Sequence, residues 1–269
     1  MENKFTIVTG ATGGLGSAFC HELASAGKNL IITATNDQRL ETFKNKLLSM
    51  YPKIDILVCK CDMSNELSRK QLFGFLKSSN KQIEMLINNA GYITEGAVVS
   101  VTAESLIQAV RVNCEGTIDL TKFIVDNHNP ENSLTILTVA SLAAIYPMPY
   151  MGVYAASKSF LLSFMTALGV EVKDKNIRVT TVLPSGIYTT QAMKEAIKSQ
   201  GVGGKLSSSS PENIAKYALK QAKKGKTIIV PGAFNRFTRF ISNFATYPTL
   251  AKITGKRWHK SQKKRDMIK

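Results

Sequence analysis

The chain is poor in the residues that build metal centres or staple small folds: four cysteines, three histidines and one tryptophan in 269 residues. Cys20, Cys59, Cys61 and Cys114 have no zinc-ligand spacing, and a chain this long needs no disulfide framework. They read as core thiols, those around Lys60 sharing one face if that stretch is a strand, and no metal site is expected. The composition, 44% hydrophobic and 20% charged, fits neither disorder nor a membrane-spanning protein, so no transmembrane helix is expected. Met1 to Thr9 lacks the basic and apolar pattern of an export signal, which predicts a cytoplasmic protein. Acids are scarce as well. Lys and Arg number 35 against 19 Asp and Glu, a formal charge of +16, and from Pro231 onward ten basic residues face Asp266 alone, a net of +9. No recognition module accompanies this charge, so nucleic acid is not an expected partner.

What the chain does have is alternation. Strand-like apolar runs at Phe5–Val8, Leu30–Ala34, Ile54–Cys61, Glu84–Asn88, Leu134–Val139, Arg178–Leu183 and Thr227–Val230 are separated by stretches of helical period. The helices are expected at Leu15–Ala26, Gln38–Met50, Glu66–Ser78, Ala103–Asn127, Tyr154–Lys173 and Pro211–Lys223. Repeated βα units predict an α/β fold, a Rossmann-type doubly wound, seven-stranded parallel sheet in three α/β/α layers. No linker divides the chain. Residues 1–232 are expected to form one catalytic domain with a substrate loop at about 187–210, followed by a basic amphipathic extension over 233–269. Within that loop Gly201 to Ser210 (GVGGKLSSSS) reads as a mobile lid, with a plain surface loop as its alternative.

Three motifs carry chemistry. The first strand ends in Thr9-Gly10-Ala11-Thr12-Gly13-Gly14-Leu15-Gly16, a glycine turn before a helix, where a backbone can approach a pyrophosphate. The fourth strand ends in Asn88-Asn89-Ala90-Gly91, either a brace for a cofactor or an ordinary βα turn. Tyr154 and Lys158, spaced i,i+4, share one face of a helix, and Ser141 just past the fifth strand reaches the same sheet edge.

Together with Asp62, Asn113 and Pro184 to Thr189, these motifs resemble the short-chain dehydrogenase/reductase family in its compact single-domain branch, over residues 4 to about 232. The resemblance implies an NAD(P)-dependent oxidoreductase acting on a carbonyl or alcohol. Tyr154 is then the proton donor, Ser141 the partner of the substrate oxygen, and Lys158 the support for the phenol and the nicotinamide ribose. Asn113 would anchor a proton-relaying water, with a helix-kink amide as the competing reading. Cofactor contacts are implied at Gly10, Thr12, Gly14, Leu15, Gly16, Thr35, Asp62, Asn89, Ala90, Tyr154, Lys158, Ile187 and Thr189. Asp62 has a rival reading as a helix cap or turn residue, and Ser185 stands where the family usually has glycine.

The second strand ends Thr33-Ala34-Thr35-Asn36 without an acid, which argues against NAD and for NADP, with Arg39 or Lys28 left to meet a phosphate. The tail resembles bacterial ketone or acyl-chain reductases, which implies a lipophilic or acyl carbonyl substrate. A non-catalytic dinucleotide sensor and a nucleotide-sugar epimerase are the alternatives. The resemblance also implies a homo-oligomer, and the face Phe160-Leu161-Phe164-Met165-Leu168 suits one as well as it suits core packing. Phe237, Phe240, Ile241, Phe244, Tyr247 and Leu250, interleaved with Arg236 and Arg239, either touch an anionic membrane or form a helix packed on the substrate site before a solvated basic end. The second of these is preferred.

Overall fold

A computed structural model of the chain describes residues 3–188, 195, 197 and 201–266. Seven parallel strands lie in the order β3-β2-β1-β4-β5-β6-β7: β1 Lys4–Thr9, β2 Asn29–Ala34, β3 Ile56–Lys60, β4 Gln82–Asn88, β5 Leu134–Val139, β6 Ile177–Val182 and β7 Ile228–Ile229. The period of two along each strand sends alternate side chains to opposite faces. Phe5, Ile7, Ile31, Leu86 and Ile136 pack on one side, where Leu72, Leu120 and Met165 cover them. Val8, Leu30, Ile32, Ile87 and Leu137 pack on the other, beneath Phe19, Leu40 and Ile214. Burial on both faces explains why these strands read as continuous apolar runs.

The covering helices are α1 Gly14–Ser25, α2 Asp37–Met50, α3 Glu66–Ser79, α4 Ala103–Val110, α5 Gly116–Asp126, α6 Gly152–Glu171, α7 Gly201–Ser207 and α8 Pro211–Lys223. Four of their N-termini, those of α2, α3, α4 and α8, carry side-chain caps that the local sequence supplies: Asn36, Asn65, Thr102 and Ser210 accept from the backbone three residues on. Helix α6 is long and apolar enough to cross a bilayer by composition, yet its Leu161 and Met165 are core residues facing the sheet.

Two expectations change. The single helix foreseen over Ala103–Asn127 is interrupted by a π-turn, Arg111–Glu115. Gly116 opens α5 so close to the loop between β3 and α3 that a Cβ there would lie 2.4 Å from the Met63 carbonyl oxygen, which pins the helix at the break. The stretch foreseen as a loose loop from Gly201 forms α7, tied down where Asn235 donates to the Ser207 carbonyl at 2.9 Å. Along α6, Leu161 and Met165 are buried, Phe164 and Leu168 pack half-buried against the core, and Phe160, stacked on Phe164, reaches solvent, so this face packs inward along one edge and is exposed along the other. The tail continues as α9 Ala233–Ser242 and α10 Tyr247–Asp266.

Candidate active site

The carboxyl ends of β1 and β4 diverge at the point where strand order reverses, and an open cleft of about 780 Å³ begins there. Gly10 has φ +62°, and a Cβ on it would meet the Ala90 Cα at 3.0 Å. At Gly16 the crowding is worse, because a Cβ would come within 2.2 Å of the Gly10 carbonyl oxygen. Only glycine lets the turn fold this tightly against α1. That helix starts without a side-chain cap or an acid in its first turn, leaving its amides and the positive end of its dipole facing the cleft. Thr12, Gly14 and Leu15 line the same wall.

Asn89 braces the turn. Its Nδ2 donates to the carbonyls of Thr9 at 2.9 Å and Gly10 at 3.2 Å. Thr9, in the quoted motif but assigned no role from sequence, locks the strands in return: its hydroxyl accepts from the amides of Asn89 and Ala90 at 3.0 and 2.9 Å. These bonds give Asn89 and Ala90 their place beside the glycine turn, and both residues line the cleft.

Deeper in, Tyr154 and Lys158 project from the first turns of α6, and Ser141 caps a short 3₁₀ turn, Leu142–Ile145, after β5. Ser141 Oγ accepts from the Ala143 amide at 3.1 Å and its side chain hydrogen-bonds Tyr154. Burial pushes the Tyr154 phenol above its ordinary pKa, an effect the Ser141 bond opposes. Lys158 is buried, its Nζ donating to the Val139 carbonyl at 2.9 Å and standing 5.8 Å from the Tyr154 ring centroid. Burial lowers its pKa to about 8.

Asn113 is fully buried inside the π-turn. Its Oδ1 accepts from the Tyr92 amide at 2.8 Å, and its Nδ2 donates to the Tyr92 carbonyl at 3.0 Å and to Ser157 Oγ at 2.9 Å. Ser157 in turn donates to the Tyr154 carbonyl at 2.7 Å, so the amide links the loop after β4 to the turn of α6 that carries the phenol. A Cβ on Gly91 would sit 3.5 Å from both Asn113 Oδ1 and Lys158 Nζ, which places both side chains against that glycine.

The remaining expected residues are less uniform. Asp62 lines the cleft, but one carboxylate oxygen accepts from the Ser64 amide and hydroxyl at 2.9 and 2.7 Å, the geometry of a turn residue, and Asn65 rather than Asp62 caps α3. Thr35 is exposed on the cleft wall at the end of β2. Ile187 also lines the cleft and bridges to Ser209. Thr189 lies outside the described residues.

Of the two bases left to meet a phosphate, Lys28 is removed: it precedes β2, at the opposite edge of the sheet, where it pairs with Glu84 at 3.0 Å. Lys60, which ends β3 opposite Ala34 and lies 3.8 Å from Asp37, was not singled out, because strand registry alone brings it beside Thr35. The cysteines are all free, and burial drives the Cys20 and Cys61 thiols upward, Cys61 to about 11. No metal-binding cluster occurs among the described residues.

At its outer end the cleft is apolar, lined by Ile93, Tyr146, Met148, Met151, Ile197 and Trp258. Trp258 comes from α10, which returns across the rim: Thr254 Oγ1 donates to the Pro147 carbonyl at 2.8 Å, and a Cβ on Gly255 would be 3.0 Å from Pro149 Cγ. The helix packed on the cleft is therefore α10. The aromatic stripe of α9 is not part of that packing and faces away, with Phe237, Phe240 and Phe244 exposed.

Comparison with known proteins agrees with this geometry. A very-long-chain 3-oxoacyl-CoA reductase of Aspergillus terreus is 31% identical over 188 residues, 67% of this chain and 52% of that protein. Its counterpart in Emericella nidulans is 29% identical over 205 residues, 75% of this chain and 58% of that one, so the match spans little more than half of either relative. A short-chain dehydrogenase from Sphingobium yanoikuyae, solved in complex with NADPH, superposes with a TM-score of 0.76 at 21% identity, covering 90% of this chain and 93% of that one. The short chain dehydrogenase family profile matches residues 4–200, most of the sheet and the whole of the Ser141, Tyr154 and Lys158 site, and the chain belongs to the short-chain dehydrogenase/reductase family.

Proposed function

We propose that the chain is an NADPH-dependent reductase of lipophilic carbonyl compounds, acyl-linked ketones among them. One observation carries the reading: Ser141, Tyr154 and Lys158 stand at the inner wall of the cleft whose mouth is the Gly10–Gly16 turn. The residues fit a dinucleotide, since the crowding at Gly10 and Gly16 leaves room for nothing but backbone where a pyrophosphate would meet α1. When bound, the nicotinamide supplies the hydride.

The chain's own residues supply the rest. Tyr154 gives its hydroxyl proton to the substrate oxygen, and the burial that raises its pKa keeps that proton in place until negative charge develops. Ser141, held by the Ala143 amide, presents its hydroxyl to the same oxygen. Lys158 places an ammonium within reach of the phenolate left behind, and with its pKa near 8 it is charged at neutral pH. Asn113 keeps the α6 turn at a fixed distance from the loop at Tyr92. The preference for a phosphorylated ribose rests on the missing acid at Thr35 and on Lys60 near it. The apolar outer cleft and the names of the fungal relatives support the substrate class. Exposed Ile107, Val110, Phe160 and Val170 on α4 and α6 support assembly into a homo-oligomer.

Titration with NADPH and NADH by nicotinamide fluorescence, beside turnover of a carbonyl panel, tests the reading. NADPH is expected to bind the more tightly, and Tyr154→Phe to retain that binding while losing about 10²–10⁴-fold in kcat. Failure to bind either nucleotide overturns it.

A further inference from the structure

Helix α9 turns its polar side inward. Asn235 and Ser242 are buried, Asn235 donating to the carbonyls of Ser207 and Pro231 at 2.9 and 2.8 Å. Its apolar side faces solvent: Phe237 is 59% exposed, Phe240 61% and Ile241 49%, and beyond the helix end Phe244 is 79% and Tyr247 66% exposed. At about 100° per residue, Phe237, Phe240 and Ile241 occupy the half of the helix opposite Asn235 and Ser242, so this is one stripe. Ile253 on α10 is 60% exposed as well.

We propose that this stripe and the basic α10 that follows it seat the protein on an anionic lipid surface. Arg236, exposed, borders the aromatic stripe on one side, and the segment from Pro231 onward carries ten basic residues against one acid. An outward aromatic face with a strongly basic segment following it matches the two layers of such a membrane, acyl chains beneath and negative headgroups around. A second copy of the chain is the poorer occupant. A two-fold contact would bring the same patch of each protomer together, setting a net +9 against another +9.

The position of the face adds a consequence. The inner side of α9 is bonded to Ser207, a residue of the cleft wall, and α10 supplies Thr254 and Trp258 to the rim. Docking through the outer side therefore holds the apolar end of the cleft near the bilayer. That consequence, entry of a lipophilic substrate from the membrane, rests on the proposed function; the docking itself does not.

Co-sedimentation of the full chain with vesicles of phosphatidylcholine, and of equimolar phosphatidylcholine and phosphatidylglycerol, separates the outcomes, since it needs no nucleotide and no turnover. Binding is expected to the mixed vesicles, weakened by salt. Phe237→Ser with Phe240→Ser is expected to weaken it about tenfold or more, because the stripe no longer buries aromatic surface. Lys252→Gln with Lys256→Gln should weaken it less, and only at low salt. NADPH affinity and turnover of a short, water-soluble ketone by the Phe variant should stay at wild-type values, which shows that it is folded. No binding to the mixed vesicles, equal binding to neutral ones, or undiminished binding by the Phe variant overturns the proposal. So does a wild-type oligomer that the Phe variant dissolves without vesicle binding by either protein, which would assign the stripe to a second copy.

Discussion

Lys158 shows at the scale of one residue how a site costs stability. An ammonium enclosed by protein, with the Val139 carbonyl as its recorded hydrogen-bond acceptor, loses more hydration than it regains, and its pKa falls from 10.5 to about 8. Between those two values the unfolded chain holds a proton that the folded chain has released, so stability rises with pH through that window, and the penalty is fully present below it. Lys158→Met removes the charge. At pH 7 the variant should be more stable by about 2 kcal/mol, a desolvation gain of roughly 3 less about 1 for the lost hydrogen bond. The advantage should shrink from pH 8 towards 10.5 and be gone above it, while turnover is lost throughout. Urea denaturation of both proteins at either end of that range checks the sign.

The element that matters most to the site is the π-turn between α4 and α5. An inserted residue in a helix costs regular hydrogen bonding and persists where tertiary contacts repay it. Here Arg69, buried on α3, meets Asp119 at 2.6 Å as well as Glu115 and the Met63 carbonyl, clamping the break from outside. Asn113 holds it from inside through Tyr92 and Ser157. Asn113→Leu leaves the Tyr92 amide and carbonyl without these partners and should destabilise the fold by about 1–3 kcal/mol. If Asn113 positions α6, the variant loses kcat with little change in NADPH affinity, a split that a purely structural amide would not produce. Asn113→Asp, which keeps the acceptor for the Tyr92 amide, should recover part of the stability and less of kcat.

Across the whole molecule, the C-terminal helix α10 supplies part of the cleft rim through Thr254 and Trp258. α10 lies so close to the Pro147–Pro149 loop that a Cβ on Gly255 would press on Pro149 Cγ at 3.0 Å, and the larger Gly255→Val should force the helix away from the rim. KM for long, lipophilic carbonyls is expected to rise about tenfold while NADPH affinity and kcat on a small ketone change little, because the nucleotide end is built from other elements. Parallel measurement of the two substrates checks this.

Much of this architecture was legible beforehand, and the exceptions share a cause. All seven strands, the glycine turn and the Tyr154–Lys158 pair follow from rules acting over a few residues: period two in Phe5–Val8, caps such as Asn36 and Asn65, and i,i+4 spacing on α6. The tertiary structure alone could decide which partners meet from distant parts of the chain. It placed Lys60 rather than Lys28 near Thr35 through strand registry, drew Thr9 and Asn89 together, and made Gly201–Ser207 helical against Asn235. It also turned α9 over. A stripe of Phe and Ile at helical spacing predicts a buried face, yet the Asn235 Nδ2 finds its carbonyl acceptors only inside the fold, and satisfying that NH2 group leaves the aromatic residues on the surface.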